Sequence, residues 1–387
     1  MHERKCYMAT RFKSGVIGVG FIGAAHIEQL RRLGNIEVVA LADEAGPQEK
    51  ADALHVPRGY ACYKELIDNQ QLDCVHICTP NNSHFEIAMY AMQHGINVVC
   101  EKPMTTTVEE AERLLAVAQE KKLIHAMNFN CRFYPMAFQM REMVKNCELG
   151  DIFTIHGGYL QDWLFYDTDY NWRLDPEASG ESRAFADIGS HWLDLVEFIT
   201  GLKVTEVLAD FETFHKTHKK PKKAADTFSG MAPHPGDYDE VPINTEDYAT
   251  VLFHLDNGAH ACCNISQIFA GRKNQMIVAI TGSKSSLHWD SEHSNELWIG
   301  RRDCANSQLV KDPSILAPGT AKITGYPGGH VEGFPDTFKQ NFKQIYADIE
   351  AGRSENPDYA DFTSGLREMV LLNRILQSAR ERRWITV

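Results

Sequence analysis

Apolar positions in the first third of the chain follow two periods in alternation. Short apolar runs at Gly15–Val19, Ile36–Ala42, Cys74–Cys78, Ile96–Cys100 and Ile124–Phe129 read as strands. Between them, Ala24–Leu33, Gln48–Leu54, Tyr63–Ile67, Glu86–His94 and Val108–Lys121 carry helical spacing, the last with Thr107 placed to cap it. Repeated strand–helix units with short connections predict a parallel, doubly wound sheet. The pattern changes after residue 150. Ile152–Leu160, Thr205–Phe211, Tyr248–Leu255, Ala259–Ser266, Gln275–Thr281 and Glu296–Ile299 read as strands with few helices between them. Asn257-Gly258 between two of these runs predicts a hairpin. A helix at Ser190–Ile199 precedes most of this sheet, and Phe334–Ala351 and Asp361–Arg380 close the chain as amphipathic helices. The segment 212–245 is polar and basic, then rich in proline and glycine, and is expected to be an exposed loop.

These elements predict an α/β chain. Residues 1–13 form a flexible extension, 14–135 a Rossmann-type doubly wound domain, and 136–387 an α/β domain with a large, open, mostly antiparallel sheet. The final helices are free to pack back on the first domain. A sheet bare on one face predicts a homodimer or homotetramer, because the apolar face would otherwise meet water.

Composition narrows the function. The 387 residues carry 39 basic against 52 acidic side chains, a formal charge of −13. That balance argues against nucleic acid or an anionic membrane as the main partner. No apolar run reaches the length of a membrane span. The first 13 residues are basic and lack the apolar middle of a secretion signal. Ten cysteines include no CxxC pair, and several lie inside apolar runs, as expected of reduced thiols in a cytoplasmic protein. The histidines at 215, 218, 254, 260, 288 and 293 lack the cysteine or carboxylate spacing of a zinc site, so no metal is expected. No GxSxG elbow or Walker loop supports hydrolase or phosphoryl-transfer chemistry.

Two motifs carry chemistry. Gly18-Val19-Gly20-Phe21-Ile22-Gly23 is a GxGxxG between a strand and a helix. The first glycine permits the turn, the second lets backbone approach a pyrophosphate, and the third lets strand and helix pack closely. Asp43 ends the second strand, twenty residues beyond Gly23, where a carboxylate accepts from ribose hydroxyls. It repels a 2′-phosphate, and no basic residue follows it directly, which favours NAD over NADP. Glu101-Lys102-Pro103 ends the fourth strand, where a side chain projects toward the cofactor crevice.

With Thr79-Pro80-Asn81, His84, Asn171-Trp172-Arg173, Asp187-Ile188-Gly189-Ser190-His191, Asp194 and Ser378-Ala379-Arg380, these motifs make the chain resemble the glucose–fructose oxidoreductase/inositol dehydrogenase (Gfo/Idh/MocA) family over nearly its whole length. The resemblance implies hydride transfer between a nicotinamide and a secondary alcohol of a sugar, inositol or related polyol, with Lys102, Asp187 and His191 catalytic. The bottom-up chemistry agrees. A histidine suits the base for the hydroxyl proton, and a lysine can donate to the same oxygen. Asp187, four residues before His191, is placed to orient it or to bind a substrate hydroxyl.

Cofactor contacts are expected from Gly18, Gly20, Phe21, Ile22, Gly23, Asp43, Thr79, Pro80, Asn81, His84, Glu101, Lys102, Asn128, Trp172 and Arg173. Substrate contacts are expected from Lys102, Arg132, Tyr166, Arg183, Asp187, His191 and His330. Arg183 stands where many family members carry glycine, which weakens any transfer of an inositol substrate. The leading expectation is an NAD-dependent dehydrogenase of a sugar, glycoside or cyclic polyol. Two alternatives stay open: NAD-retaining glycoside 3-oxidation feeding a lyase or hydrolase step, and a non-catalytic NAD-sensing sugar regulator.

Overall fold

A computed structural model describes residues 12–222 and 238–387. Most of the expected amino-terminal extension and the middle of the expected 212–245 loop lie outside the described residues. The first sheet is built from β1 (Phe12–Ile17), α1 (Phe21–Leu33), β2 (Ile36–Ala42), α2 (Pro47–Ala53), β3 (Gly59–Tyr60), α3 (Tyr63–Asn69), β4 (Cys74–Ile77), α4 (His84–Gln93), β5 (Asn97–Cys100), α5 (Val108–Lys121) and β6 (His125–Met127). Its six strands are parallel, in the order β3-β2-β1-β4-β5-β6. Helices on both faces bury the central strands, so β4 is buried at every position and its polar-to-apolar pattern is nearly continuous. The order reverses between β1 and β4. A crevice therefore opens beyond their carboxyl ends, where ligands bind in such sheets. β1 starts at Phe12, earlier than expected, because Phe12 is buried edge-on against Tyr346.

The rest of the chain comprises α6 (Pro135–Lys145), β7 (Ile152–Leu160), α7 (Pro176–Ser179), α8 (Ser190–Thr200), β8 (Val204–Glu212), β9 (Thr217–Pro221), β10 (Tyr238–Pro242), β11 (Tyr248–Leu255), β12 (His260–Ser266), β13 (Gln275–Gly282), β14 (Ser286–Asp290), β15 (Glu296–Gly300), β16 (Ser307–Val310), α9 (Pro318–Ile323), α10 (Phe334–Ala351), α11 (Phe362–Glu381) and β17 (Ile385–Thr386). Nine strands form a second sheet, in the order β16-β15-β14-β13-β7-β12-β11-β8-β17. Every neighbour is antiparallel except the central pair β7–β12. One face packs on α6, α8 and α11 through Ile155, Trp192, Val251, Cys263 and Ile375. Along β11 the alternate residues are buried, while Leu252 points to the other face and is exposed.

The 212–245 segment is not simply a loop. β9 and β10 pair as an antiparallel hairpin that closes on residues 161–174. Lys219 N–H donates to the Asp167 carbonyl, His218 Nδ1 contacts the Asp169 carbonyl, and Ile243 packs on Leu164 and Leu174. The lysines and prolines of this hairpin hide its alternation. Its apolar contribution is a few side chains that meet partners far away in sequence.

The two closing helices cross back. α10 lays Phe338 and Phe342 against His26 of α1. α11 lies along α5, and Gly365 lets it pack closely against Met104 and against Met127 of the first sheet. A Cβ there would sit 2.8 Å from the sulfur of Met104 and 2.9 Å from Met127 Cγ. No helix among the described residues is long and apolar enough to cross a membrane.

Candidate active site

The first wall of the site is the turn between β1 and α1. Gly18 has φ +84°, and a Cβ there would lie 2.7 Å from the Cys78 backbone. Gly23 allows no side chain either, since its Cβ would approach Gly18 O to 2.1 Å. Gly20 differs: nothing lies within 4 Å of its would-be Cβ. Neighbouring protein atoms leave that space open, and Gly20 caps α1 without a side-chain bond, so the positive end of the helix dipole faces it. An anion fits there. Phe21 opens the helix largely exposed, and Ile22 is half-buried beside it.

Asp43 ends β2 and accepts from Val19 N–H at 2.8 Å and Ala45 N–H at 3.0 Å. It also pairs with Lys50 at 2.8 Å. No basic residue follows Asp43 directly, yet a cation reaches it from further along the chain. Lys50 is seven residues on, but α2 turns it back. Burial would raise the Asp43 carboxyl, and its bonds to Lys50, Val19 and Ala45 more than offset that, holding it below its usual value.

The second wall comes from β4 and β5. His84 is buried and spans two loops, its ring nitrogens each 2.9 Å from the carbonyls of Thr79 and Pro103. It ties Thr79-Pro80-Asn81 to the Lys102 loop, so its effect on any cofactor runs through those loops. Thr79 Oγ1 accepts from the Ser83 hydroxyl, and Asn81 Nδ2 donates to the Ser179 carbonyl. Glu101 and Asn128 face inward, away from an open crevice. Glu101 Oε1 accepts from Asn128 Nδ2 at 2.5 Å and lies 3.0 Å from His26 Nε2. Burial pushes Glu101 up, yet these bonds and the Lys102 charge bring it down to about 2. Asn341 of α10 donates to Asn128 Oδ1. Glu101 and Asn128, two of the residues expected at the cofactor, are thus buried and bonded to each other.

At the crevice, Lys102 Nζ donates to the Asp187 carbonyl and to Asp187 Oδ1, both at 2.7 Å. Arg173 Nε reaches the same Oδ1 at 3.1 Å, and Gln267 Nε2 reaches Oδ2 at 2.9 Å. The Arg173 guanidinium stacks over Trp172. Asp187 lies in a π-helical turn, Phe185–Gly189, that leads into α8. Burial would raise Asp187, but Arg173 and Lys102 outweigh it and hold the carboxyl far below its usual value.

His191, in the first turn of α8, is buried and packs edge-on against Phe129. Its Nδ1 has no hydrogen-bond partner among the described residues. The expected orienting bond from Asp187 is therefore absent among them. Asp187 gives its oxygens to Lys102, Arg173 and Gln267, and packing orients the ring. Burial, with Lys102 adding, pushes His191 down to about 3.

This shift makes a stability prediction. Between its ordinary value near 6.5 and about 3, the folded protein leaves His191 neutral while the unfolded chain protonates it. The contribution is complete above 6.5 and is lost as pH falls toward 3, by up to about 1.4 kcal/mol per pH unit. Denaturation of wild type and His191→Asn across that range should show the wild type losing ground steadily on acidification. Parallel stability curves would refute the buried, neutral ring.

Three residues expected at the substrate are elsewhere. Arg132 is buried and forks onto Asp194, Nε to Oδ2 at 2.8 Å and Nη2 to Oδ1 at 2.5 Å. Arg183 is fully buried against Asp247. Both are arginines that the sequence pattern could not distinguish from pocket residues, because their acidic partners come from distant elements. His330 bonds only within its own loop, to the Gly328 carbonyl. That loop is anchored from inside by Lys311, which reaches the carbonyls of Tyr326 and His330 and the carboxylate of Glu332. Tyr326 meets Arg32 at the carboxyl end of α1, the end opposite the glycine turn. Tyr166 is exposed on the loop after β7, on the chain segment that carries Arg173. Gln267 was not anticipated. It is the first residue past β12, and nothing in periodicity marks it.

One wall of this crevice offers an open helix start that an anion fits, and the other carries the Lys102 ammonium and the His191 imidazole, whose charges bear on each other. That layout belongs to the nicotinamide-dependent oxidoreductases. Residues 12–129 match the oxidoreductase family model with an NAD-binding Rossmann fold, and residues 138–288 match the GFO/IDH/MocA carboxy-terminal domain. The chain belongs to the Gfo/Idh/MocA family and binds NAD. Levoglucosan dehydrogenase of Pseudarthrobacter phenanthrenivorans is 25% identical, covering 96% of this chain and 97% of that one. Glucose-6-phosphate 3-dehydrogenase of Bacillus subtilis is 28% identical over 94% of this chain and 95% of its own. The solved structure of an inositol dehydrogenase homolog complexed with NAD+ from Azotobacter vinelandii superposes with a TM-score of 0.84, at 25% identity, over 98% of each chain.

Proposed function

We propose that the protein oxidises a secondary hydroxyl of an uncharged sugar, glycoside or cyclic polyol. The observation that carries the uncharged substrate is the pairing of Lys102 and of all three arginines that the sequence placed at the site. Lys102 and Arg173 share Asp187, while Arg132 and Arg183 are spent on Asp194 and Asp247. A phosphorylated or acidic sugar needs an uncommitted cation. The related glucose-6-phosphate 3-dehydrogenase is named for a phosphorylated substrate, so the prediction separates this chain from that relative.

When bound, NAD supplies the hydride acceptor. The chain's residues hold and deprotonate the alcohol. Lysine has three N–H donors, and two of those on Lys102 go to Asp187. The third is left for the substrate oxygen, where it stabilises negative charge as the hydroxyl proton leaves. Neutral His191 accepts that proton. Burial disfavours the resulting imidazolium. Asp187 holds Lys102 and Arg173 in place.

The test is NADH formation, followed by absorbance, with a panel of inositols, neutral sugars, glycosides and sugar phosphates. Turnover confined to sugar phosphates would refute the uncharged substrate, and no turnover by any alcohol would refute the dehydrogenase.

We also infer a homodimer or homotetramer through the bare sheet face. Register aligns Leu208, Leu252 and Cys262 across neighbouring strands of that face, with Ala279 and Trp298 in the same row beyond. Light scattering should give a multiple of 43.7 kDa. A monomer at micromolar protein would sink the idea.

A further inference from the structure

Two loops carry an aromatic rim beside the catalytic cluster. β7 and β12 run parallel and end side by side, with Ser266 in register with Leu160. Their continuations stay paired. Gln161 N–H donates to the Ser266 carbonyl, Leu164 N–H to the Gln267 carbonyl, and Phe269 N–H to the Gln161 carbonyl. Gln267 touches Asp187 through its side chain. Phe269 is two residues further on, at most roughly 7 Å along the chain.

On this double loop Leu164 turns inward and is fully buried against Leu174 and Ile243. Its neighbours turn outward. Phe165 is 38% exposed, Tyr166 64% and Phe269 48%. Phe165 and Tyr166 meet edge to face, with ring centroids 5.0 Å apart.

The exposure is enforced by bonded backbone. Asp162 Oδ2 accepts from Gly271 N–H at 3.0 Å and from Lys273 Nζ at 2.7 Å, which clamps one loop to the other. Gln161 Nε2 donates to Asn274 Oδ1. Tyr166 N–H is held by Asp169, and His215 Nε2 contacts the Phe165 carbonyl. Aromatic rings left in water on bonded backbone, on loops that lead from a site, are a ready surface for a ligand.

We propose that the substrate carries a second ring joined to the oxidised sugar, and that Phe165, Tyr166 and Phe269 form the platform on which that ring stacks. This inference rests on the dehydrogenase reading and narrows it to glycosides and disaccharides. The first ring sits with its hydroxyl at Lys102 and His191. The second leaves past Gln267, where the apolar C–H face of a sugar, or an aryl aglycone, meets aromatic carbon. The surroundings suit a neutral ring: Asp162 and Lys273 are paired to each other, and Gln161 is bonded to Asn274 and Trp163.

The experiment compares one-ring ligands (glucose, 1,6-anhydroglucose) with two-ring ligands (cellobiose, phenyl β-glucoside). It measures kcat/KM with NAD and affinity by calorimetry with NADH present, in wild type, Phe269→Ala and Phe165→Ala/Tyr166→Ala. The wild type should prefer two-ring ligands, and each variant should cut the ratio of two-ring to one-ring kcat/KM by about tenfold, an amount typical of a lost aromatic contact. Loss shared equally by both ligand classes would assign the rim to structure and overturn the proposal. So would an unchanged ratio, including one accompanied by a fall in mass by light scattering, which would mark the rim as a subunit contact. If NADH binds but no ligand of either class is oxidised, the dehydrogenase reading fails. The calorimetric preference then still decides the rim on its own.

Discussion

Replacing Lys102 with alanine is expected to lower kcat about a thousandfold, within the range seen for loss of a positioned proton-transfer or charge-stabilising group. Two effects combine. The N–H left over after Asp187 has taken its two is the donor aimed at the substrate oxygen, and alanine removes it. The same substitution leaves Asp187 with Arg173 and Gln267 as its remaining partners, so the carboxylate is free to shift toward the space the ammonium occupied. NADH binding should persist, because the glycine turn and Asp43 lie on the other wall. Fluorescence titration with NADH checks that half. A variant turning over within tenfold of wild type would remove Lys102 from the chemistry.

The second large effect concerns stability. Arg183→Ala strands Asp247 as a buried charge with no cation, and should cost about 3–5 kcal/mol. Asp247 would keep its bonds from the backbone N–H groups of Phe214 and His215, which limits the loss but does not neutralise the charge. Denaturant midpoints report the cost. The double variant Arg183→Leu/Asp247→Asn should recover part of it, since neither a lone cation nor a lone anion is then buried. A stable Arg183→Ala protein whose KM for sugar rises tenfold would return Arg183 to the substrate pocket and refute the buried pair.

These two residues show what could be read from the chain before its fold. Lys102 is legible because a strand end, a lysine and a proline occur together, and strand ends in such sheets point at ligands. The glycine turn is legible for the same kind of local reason: strand, turn and helix are contiguous, and the φ of +84° at Gly18 is a demand made within six residues. Arg183 is not legible. Its partner is 64 residues away, and an arginine near a motif looks the same whether it faces a pocket or a buried aspartate. His330 misleads similarly, since Lys311, the buried cation that anchors its loop, lies 19 residues earlier in the chain. The hairpin of β9 and β10 fails for a different reason. Its lysines and prolines carry the signal of a solvated loop, and what fixes it is contact with residues 161–174 rather than its own pattern. Asp187 is half legible. Its place in the site is plain, but the π-helical turn that hands its oxygens to Lys102, Arg173 and Gln267 depends on packing.

The return of α10 and α11 onto the first sheet has a consequence for synthesis. Translation delivers β1 to β6 well before Phe338, Phe342 and Gly365, the residues that cover part of their surface. The nascent cofactor-binding half must therefore leave His26, Met104 and Met127 uncovered until residues 334–381 have emerged from the ribosome. A stop codon just before Phe334 would leave Lys102, Asp187 and His191 encoded and still remove both covering helices.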